Sequence, residues 1–166
     1  IKNYHVGLVI VSREIFENSS KREMIYESHV PTLKIADRSF SQVKDASIIL
    51  GENRDFEKIS STIFDVSEQM GFNLELYNYM NEHQNSKEKV IEHYNNLSTI
   101  FSKSIKVLQE KDNPIKILQQ KDNFLQVLPF TKKLTVKKIY SILSTDSEKL
   151  YHKLDDYHQI FIPVQI

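Results

Sequence analysis

The chain has 166 residues, of which 40% are hydrophobic and 27% charged, and this balance favours one compact domain with a substantial core. Lysine plus arginine equals aspartate plus glutamate, at 22 residues each, so the overall charge does not favour nucleic acid as a partner. There is no cysteine, which excludes disulfides, thiolate catalysis and cysteine-ligated zinc, and which suits a cytoplasmic protein.

The first 40 residues are predicted to form a strand, a helix and a second strand. Residues 5–12 (HVGLVIVS) are an apolar run of strand length, typical of a parallel strand that is buried on both faces. The segment REIFENSS is predicted to be a loop or an irregular turn. Ser20 and Glu23 have the spacing of a capping box, which begins a short helix. The strand TLKIA at 32–36 follows this helix.

The central part of the chain continues the alternation. ASIIL at 46–50 is predicted to be a buried strand. Asn53 or Asp55 is expected to cap the helix FEKISSTIFDVSEQM. Gly71 is expected to end it, because glycine accepts the left-handed conformation found at helix C-termini. The strand FNLELYNY and a helix at 86–103 come next.

The last part of the chain begins with the strand IKVLQE. Asp112 or Asn113 is then expected to cap a short helix that has Pro114 at its first position, and a strand, NFLQVLPF, follows it. The spacing in 134–143 fits either a strand or a helix, and its β-branched and aromatic content favours a strand. A helix capped by Thr145, DSEKLYHKLDD, leads to the closing strand QIFIPV.

Alternating strands and helices with short links predict a single α/β domain with a mainly parallel sheet flanked by helices. Besides TLKIA, strands are predicted near 5–12, 46–50, 72–79, 104–109, 123–129 and 159–165.

One short pattern occurs twice, each time before an apolar segment of strand length. It consists of Ser20, Glu23, Ile25 and Tyr26 in the first copy and of Thr145, Glu148, Leu150 and Tyr151 in the second. Each copy is interpreted as a capped crossover helix that leads into a buried strand. The pattern indicates either a diverged repeat or a reused crossover, and the alternative is two ordinary helix starts.

Known catalytic and phosphate-binding motifs are missing from the sequence. Three glycines are too few for a glycine-rich phosphate loop, and the spacings of a hydrolase nucleophile elbow, a zincin helix and a dinucleotide fingerprint do not occur. The densest titratable group, HKLDDYH at 152–158, could supply metal ligands, but its spacing favours an exposed helix end with local ion pairs. Neither a catalytic residue nor a metal site is predicted.

A ligand is most readily placed at the carboxyl ends of the parallel strands, where open α/β sheets bind their ligands. Two such ends are polar, ILGENRD and LPFTKK. A glycine lets a ligand approach the backbone of the first, and lysines could meet an anion at the second. The alternative is a solvated loop and a solvated basic turn. The candidate residues are Gly51, Glu52, Asn53 and Arg54 at the first end and Thr131, Lys132 and Lys133 at the second.

Residues 45–166 resemble the universal-stress-protein domain in the order of their elements and in the closing IFIPV strand. This resemblance implies a HUP or Rossmann-like topology and an adenine nucleotide as the ligand to consider. The nucleotide-binding members of that family carry a glycine-rich loop after the fourth strand. This chain has PFTKKLTVKK there, which departs from that pattern.

The chain is also similar to the C-terminal cytosolic parts of bacterial cation-transport proteins, both cation/proton antiporters and TrkA-type regulators of potassium uptake. That likeness implies a non-enzymatic regulatory or interaction domain that forms a homodimer and is tethered to the inner membrane through a parent protein. No direct membrane insertion is expected, because no apolar run approaches 18 residues. The alternatives are a stand-alone nucleotide-binding protein of the universal-stress type and a small hydrolase.

The first residues suggest a longer parent. The chain begins at Ile1 rather than at methionine, and a strand is predicted only a few residues later. We therefore expect the chain to be the C-terminal piece of a longer protein, with 1–40 as the tail of a preceding unit of similar kind.

Overall fold

A computed structural model describes residues 7–50, 55–79, 84–134, 139–142 and 151–164. The strands are β1 (Val9–Ser12), β2 (Thr32–Ile35), β3 (Asp45–Leu50), β4 (Asn73–Tyr79), β5 (Ile105–Glu110), β6 (Leu125–Leu134), β7 (Ile139–Ile142) and β8 (His158–Pro163). The helices are α1 (Arg13–Glu17), α2 (Ser19–Ser28), α3 (Asp55–Lys58), α4 (Ser60–Met70), α5 (Gln84–Ile100) and α6 (Pro114–Leu118), with a 3-10 turn at Phe40–Gln42.

The strands form one mixed but mainly parallel sheet, hydrogen-bonded in the order β1-β2-β8-β6-β3-β4-β5, and β7 pairs with β6 as a hairpin. Five neighbouring strands, from β8 to β5, run parallel to one another. The predicted α/β class, with a mainly parallel sheet flanked by helices, is confirmed. None of the helices among the described residues has the length and apolar character that crossing a membrane requires.

The pair β1–β2 joins this parallel unit through an antiparallel seam. Leu33 of β2 lies opposite Ile160 of β8, and β1 runs parallel to β2 as β6 runs parallel to β8. An approximate two-fold axis at the Leu33–Ile160 pair therefore relates β1–β2 to β6–β8 in order and direction. The expectation that 1–40 belongs to a preceding unit stays a prediction.

The two faces of the sheet bury different sets of side chains, because successive strand residues point to opposite faces. The face covered by α3, α4 and α5 carries the main aliphatic core, which includes Ile48, Leu76, Ile63, Val90 and Tyr94. The other face, covered by α1, α2, α6 and the segment 151–157, carries two smaller clusters rich in aromatic rings.

The two copies of the repeated pattern meet on this second face. Tyr26 and Tyr151 both pack against Phe161 of β8, with ring centroids 6.4 and 5.8 Å away. Of the second copy, Thr145, Glu148 and Leu150 lie outside the described residues. Its helix is described only from Tyr151, and it ends at Lys153.

The predictions for residues 13–28 need two corrections. The segment predicted as a loop contains α1, because the Ser12 hydroxyl accepts a hydrogen bond from the N–H of Ile15 and Phe16 is fully buried. The cap of α2 is Asn18, whose Oδ1 accepts a hydrogen bond from the N–H of Lys21. Ser20 lies inside α2, so the predicted capping box is wrong.

Strand β1 is an edge strand rather than a strand buried on both faces. It pairs with β2 alone among the described strands, and the Ile10 side chain is 63% exposed. Strand β6 is longer than predicted and continues to Leu134, because its last four residues pair with β7. The interpretation of 134–143 as a strand is confirmed for Ile139–Ile142.

The helix ends elsewhere follow the predicted chemistry. Gly71 has φ +73° and ends α4, and Asn113 caps α6 with Pro114 at its first turn. The helix predicted across 56–70 is interrupted at Ile59, which separates α3 from α4. Asp55 is the first residue of α3, and Asn53 lies outside the described residues.

Candidate functional site

The order of the strands reverses between β3 and β6. The chain leaves β3 in one direction, through β4 and β5, and returns to the other side of β3 with β6. In open α/β sheets such a reversal separates the connections on either side and leaves a ligand crevice at the carboxyl ends of the two strands. The pairs Ala46–Leu125 and Ser47–Gln126 fix the register, so counting along both strands brings Leu50 level with Pro129.

The structure places only part of the predicted ligand site. Gly51, Glu52, Asn53 and Arg54 follow the end of β3 but lie outside the described residues. Thr131, Lys132 and Lys133 belong to β6 itself, where their backbones pair with Ile142, Ser141 and Tyr140 of β7. The second half of the site was predicted as a loop after a strand, and it is instead part of a β-hairpin. That the two groups bind a ligand together stays a prediction.

Asn78 contributes a polar group at the same edge. It lies opposite Leu50, the last residue of β3, and its side chain is fully buried. Its Nδ2 donates a hydrogen bond to Gln109 Oε1 at 2.8 Å, which orients the amide. The remaining atom, Oδ1, is a buried acceptor with no hydrogen-bond partner among the described residues. A buried carbonyl oxygen left in this way costs about 1–3 kcal/mol, so a donor from a ligand would stabilise it.

Lys87 brings a positive charge close to this edge. It lies in the first turn of α5, its side chain is 2% exposed, and its Nζ donates a hydrogen bond to the Tyr79 carbonyl at 2.7 Å. The carboxyl end of β4 therefore combines a buried ammonium group with the buried amide of Asn78. This combination suits a ligand that carries both a negative charge and a hydrogen-bond donor.

Ser60 and His93 form the contact that most resembles a catalytic pair. Ser60 Oγ and His93 Nε2 are 2.9 Å apart, between α4 and α5. However, the Ser60 hydroxyl donates its one proton to the Glu57 carbonyl at 2.6 Å, so the imidazole must be the donor in the contact with Oγ. A nucleophilic serine needs the opposite arrangement, in which the imidazole accepts the hydroxyl proton. The Ser60–His93 contact therefore serves as a structural hydrogen bond between α4 and α5.

Within the part of the chain that the structure describes, the titratable group at 152–158 gathers no set of metal ligands. Arg13 pairs with Asp155 and Asp156 at 3.7 and 3.0 Å, and no three metal-binding side chains among the described residues are placed to hold an ion. His158 departs from the predicted exposed helix end, because it is buried in β8 and its Nδ1 accepts a hydrogen bond from the N–H of Ala36. Burial lowers the pKa of His158, and the positive charge of Lys34 lowers it further.

A second concave surface lies away from the predicted site. A cleft of about 520 Å³ opens at the carboxyl ends of β1 and β2, lined by Ser12, Arg13, Glu14, Glu17, Ile35, Ala36 and Asp37. The approximate two-fold axis relates this edge to the carboxyl ends of β6 and β8. The guanidinium group of Arg13, which lines the cleft, is already paired with carboxylates, since its Nε donates a hydrogen bond to Glu17 at 2.7 Å.

Comparisons with known proteins identify the fold. No family model and no curated protein matches the sequence. Among solved structures, the functionally unknown protein PA1789 of Pseudomonas aeruginosa PAO1 is similar at 12% identity with a TM-score of 0.55. A Pseudomonas aeruginosa UCBPP-PA14 protein, described provisionally as a universal stress protein, is similar at 10% identity with a TM-score of 0.55. A universal stress protein of Archaeoglobus fulgidus DSM 4304 is similar at 8% identity with a TM-score of 0.50.

This fold is universal-stress-protein-like. The likeness covers 95% of this chain in all three cases, and 63%, 63% and 61% of the respective solved chains, so this chain spans less than two thirds of their length. At these identities the likeness is one of fold, and the parallel order β8-β6-β3-β4-β5 is the part that residues 45–166 were predicted to form. None of the three supports a cation-transport parent.

Asn78 was not among the predicted site residues. The sequence places this asparagine near the end of a predicted strand. In the structure the five residues from Leu74 to Asn78 are all buried. A buried polar side chain on such a strand needs a partner, and this requirement could have marked Asn78 for attention. The strand FNLELYNY is predicted as a whole, and none of its side chains is assigned to a site.

Proposed function

We propose that this chain is a universal-stress-protein-like domain that binds an adenine nucleotide at the carboxyl edge of its sheet and acts without catalysis, as a sensor. The proposal favours the stand-alone nucleotide-binding alternative over the transport-regulator reading. The observation that carries it is the buried, unpartnered Oδ1 of Asn78 at the end of β4.

The chemistry of Asn78 selects the base. One Nδ2 hydrogen of Asn78 is donated to Gln109, and Oδ1 is the atom of the side chain that has no partner, so a hydrogen-bond donor is what this position lacks. The 6-amino group of adenine is a hydrogen-bond donor, whereas guanine carries the acceptor O6 at the equivalent position. The edge should therefore prefer adenine to guanine.

The phosphates would be bound differently from those in the glycine-loop members of the family. The chain has no glycine in PFTKKLTVKK, so a loop of closely spaced backbone N–H groups is not available there. We propose that one of the two neighbouring lysines, Lys132 or Lys133, meets the phosphate charge instead, together with residues 51–54 after β3, because neighbouring residues of a strand serve opposite faces. Lysine binds phosphate as a point charge and does not need a preformed loop.

The non-enzymatic part of the proposal rests on the Ser60–His93 contact. The orientation of its hydrogen bonds commits the hydroxyl proton to a backbone carbonyl, which opposes the small-hydrolase alternative. Regulation of a cation transporter, a homodimer and a membrane-tethered parent remain predictions, since no described residue specifies an ion or a subunit contact.

Calorimetric titration with ADP and GDP tests the proposal. The wild type should bind ADP more tightly than GDP, and Asn78→Ala should lower the affinity for ADP by about tenfold and remove the preference, because one hydrogen bond is worth about 1.4 kcal/mol here. Asn95→Ala, on the exposed side of α5, is the matched control and should behave as the wild type. Lys132→Ala with Lys133→Ala should weaken both nucleotides alike.

Two results would end this proposal. One is a wild-type protein that binds neither nucleotide. The other is an Asn78→Ala protein, shown by its melting curve to be folded, that keeps the adenine preference unchanged.

A further inference from the structure

A row of polar side chains crosses the sheet on the face covered by α6 and the segment 151–157. The register places one residue from each of six neighbouring strands side by side, from β2 to β5. In order across the sheet they are Lys34, Gln159, Gln126, Ser47, Glu75 and Lys106. The first five are buried, with exposures between 0% and 7%.

The hydrogen bonds at one end of the row all point the same way. The Lys34 ammonium donates to Gln159 Oε1, and Gln159 Nε2 donates to Gln126 Oε1 at 2.8 Å. An ammonium group can only donate, so it fixes the orientation of the first amide, and that amide fixes the second. Gln126 therefore presents its Nε2 donor towards the neighbouring strand β3.

The other end of the row is an acceptor. Glu75 Oε2 accepts hydrogen bonds from Lys121 Nζ and Tyr77 Oη, both at 2.8 Å. A carboxylate has about four acceptor positions, so these two bonds leave capacity for others. The row thus runs from a group that only donates to a group that only accepts.

The hydrogen bonds that start at Lys34 stop at Gln126. Gln126 Nε2 and Ser47 Oγ are both buried, and neither has a hydrogen-bond partner among the described residues. They belong to directly paired residues of β6 and β3. Ser47 is the shortest side chain of the row and stands between two long ones, so a gap above it is expected. Two adjacent unpartnered groups would cost about 1–3 kcal/mol each.

We propose that an ordered water molecule binds in this gap, accepts a hydrogen bond from Gln126 Nε2 and donates one to Ser47 Oγ. The chain of hydrogen bonds then runs from Lys34 through Gln159, Gln126 and the water to Ser47. Buried waters are held by 2–4 polar partners, which this gap supplies. The row crosses the antiparallel seam between β2 and β8, so the water helps to hold residues 32–35 in register with the rest of the sheet.

Ser67 provides a matched control in the same protein. Its Oγ is also buried and has no partner among the described residues, but it lines a small cavity of about 10 Å³ whose other walls are aliphatic and aromatic. A water there would have a single polar partner and would not be retained. The two serines therefore differ in the one property that the proposal invokes.

The first experiment uses the full wild-type chain and needs no variant. In a water-selective nuclear Overhauser experiment, the side-chain amide protons of Gln126 should show a cross-peak to a long-lived water. The absence of that cross-peak, with the Gln126 amide assigned, would overturn the proposal.

The second experiment compares variants by urea unfolding. Ser47→Ala should raise the equilibrium constant for unfolding about tenfold and abolish the Gln126 cross-peak, whereas Ser67→Ala should change that constant by less than about twofold. Ser47→Ala combined with Gln126→Met should cost less than the sum of the single changes, because the water has no remaining role. Equal effects of the two serine variants, or additive effects in the cycle, would show that no water joins Ser47 to Gln126.

Discussion

Lys34 of β2 lies opposite Gln159 of β8 across the antiparallel seam, and the lysine ammonium donates a hydrogen bond to the glutamine oxygen. The same ammonium donates to the Asp155 carbonyl at 2.7 Å and lies 5.4 Å from the centre of the Tyr151 ring. A fully buried lysine is rare, and here its hydrogen bonds join the first two strands to the closing strand. The seam therefore depends on a buried ammonium group that needs hydrogen-bond acceptors around it.

The charge of Lys34 should make the seam sensitive to pH. Burial lowers the pKa of Lys34 to about 8, partly offset by the nearby Asp155 and reinforced by Arg13, whereas the ordinary value is 10.5. Between these two values the unfolded chain binds more protons than the folded one, so the contribution of Lys34 to stability rises with pH. Below about pH 8 the burial cost of the ammonium is present in full.

A comparison with Lys34→Met measures this contribution. The free energy of unfolding of the wild type, relative to the variant, should increase by about 2–4 kcal/mol between pH 7.5 and 10.5, since one pKa unit corresponds to about 1.4 kcal/mol. Urea unfolding at several pH values gives this difference. Lys116→Met, on the exposed side of α6, is the control. A difference between wild type and Lys34→Met that does not change with pH would refute the prediction.

Lys121 and Glu75 form an ion pair at the other end of the polar row, and removing the lysine alone should cost more stability than removing both charges. The Lys121 and Glu75 side chains are 30% and 9% exposed, so Lys121→Met leaves a buried carboxylate without its cation. We expect a loss of about 2 kcal/mol in the free energy of unfolding. Adding Glu75→Gln should recover part of the loss, because a neutral amide needs no counter-charge. If the double variant is less stable than Lys121→Met, the explanation fails.

Acid should remove the stabilisation that the Lys121–Glu75 ion pair provides. Burial alone would raise the pKa of Glu75, but hydrogen bonds from Lys121 and Tyr77 hold it below the ordinary value of 4.5. The stabilisation is therefore present above pH 4.5 and is lost as the pH falls through the lower, folded-state pKa of Glu75. Unfolding curves at pH 7 and at pH 3 should show the gap between wild type and Lys121→Met closing.

The parallel unit could be predicted from the sequence because its signals are local. Buried strands appear as apolar runs such as ASIIL, and helix ends carry their own chemistry, as at Gly71 and Asn113. The cap of α2 was missed because three candidates, Asn18, Ser19 and Ser20, stand in succession, and the capping-box spacing favours the wrong one.

The features that were missed depend on contacts between distant parts of the chain. Helix α1 has five residues, too few to be stable alone, and the buried ring of Phe16 holds it against β8. The β2–β8 seam pairs residues more than 120 positions apart, which no periodicity within either strand can indicate. Likewise, the continuation of β6 through Thr131 to Leu134 depends on its pairing with β7.

Phe16 should be a large contributor to stability although it lies in so short a helix. Its ring stacks on Phe161 with centroids 4.4 Å apart and meets Tyr151 edge-on at 5.6 Å. Phe16→Ala is expected to cost about 3–5 kcal/mol, and Phe16→Leu about 1.5 kcal/mol or less. Ile15→Ala, the neighbouring and 39% exposed position, is the control and should stay within about 0.5 kcal/mol. Equal losses at the two positions would show that the aromatic cluster does not anchor α1.

The last prediction distinguishes a structural Ser60–His93 pair from a catalytic one. Because the serine proton is donated to the Glu57 carbonyl, Oγ should not be activated, and a fluorophosphonate probe should leave Ser60 unmodified at neutral pH. Ser60→Ala should lower the free energy of unfolding by about 1 kcal/mol through loss of the hydrogen bonds between the helices. Mass spectrometry of the probe-treated chain and urea unfolding of the variant give the two measurements. Labelling of Ser60 that disappears in His93→Ala would establish the pair as a nucleophile and base and would revive the hydrolase alternative.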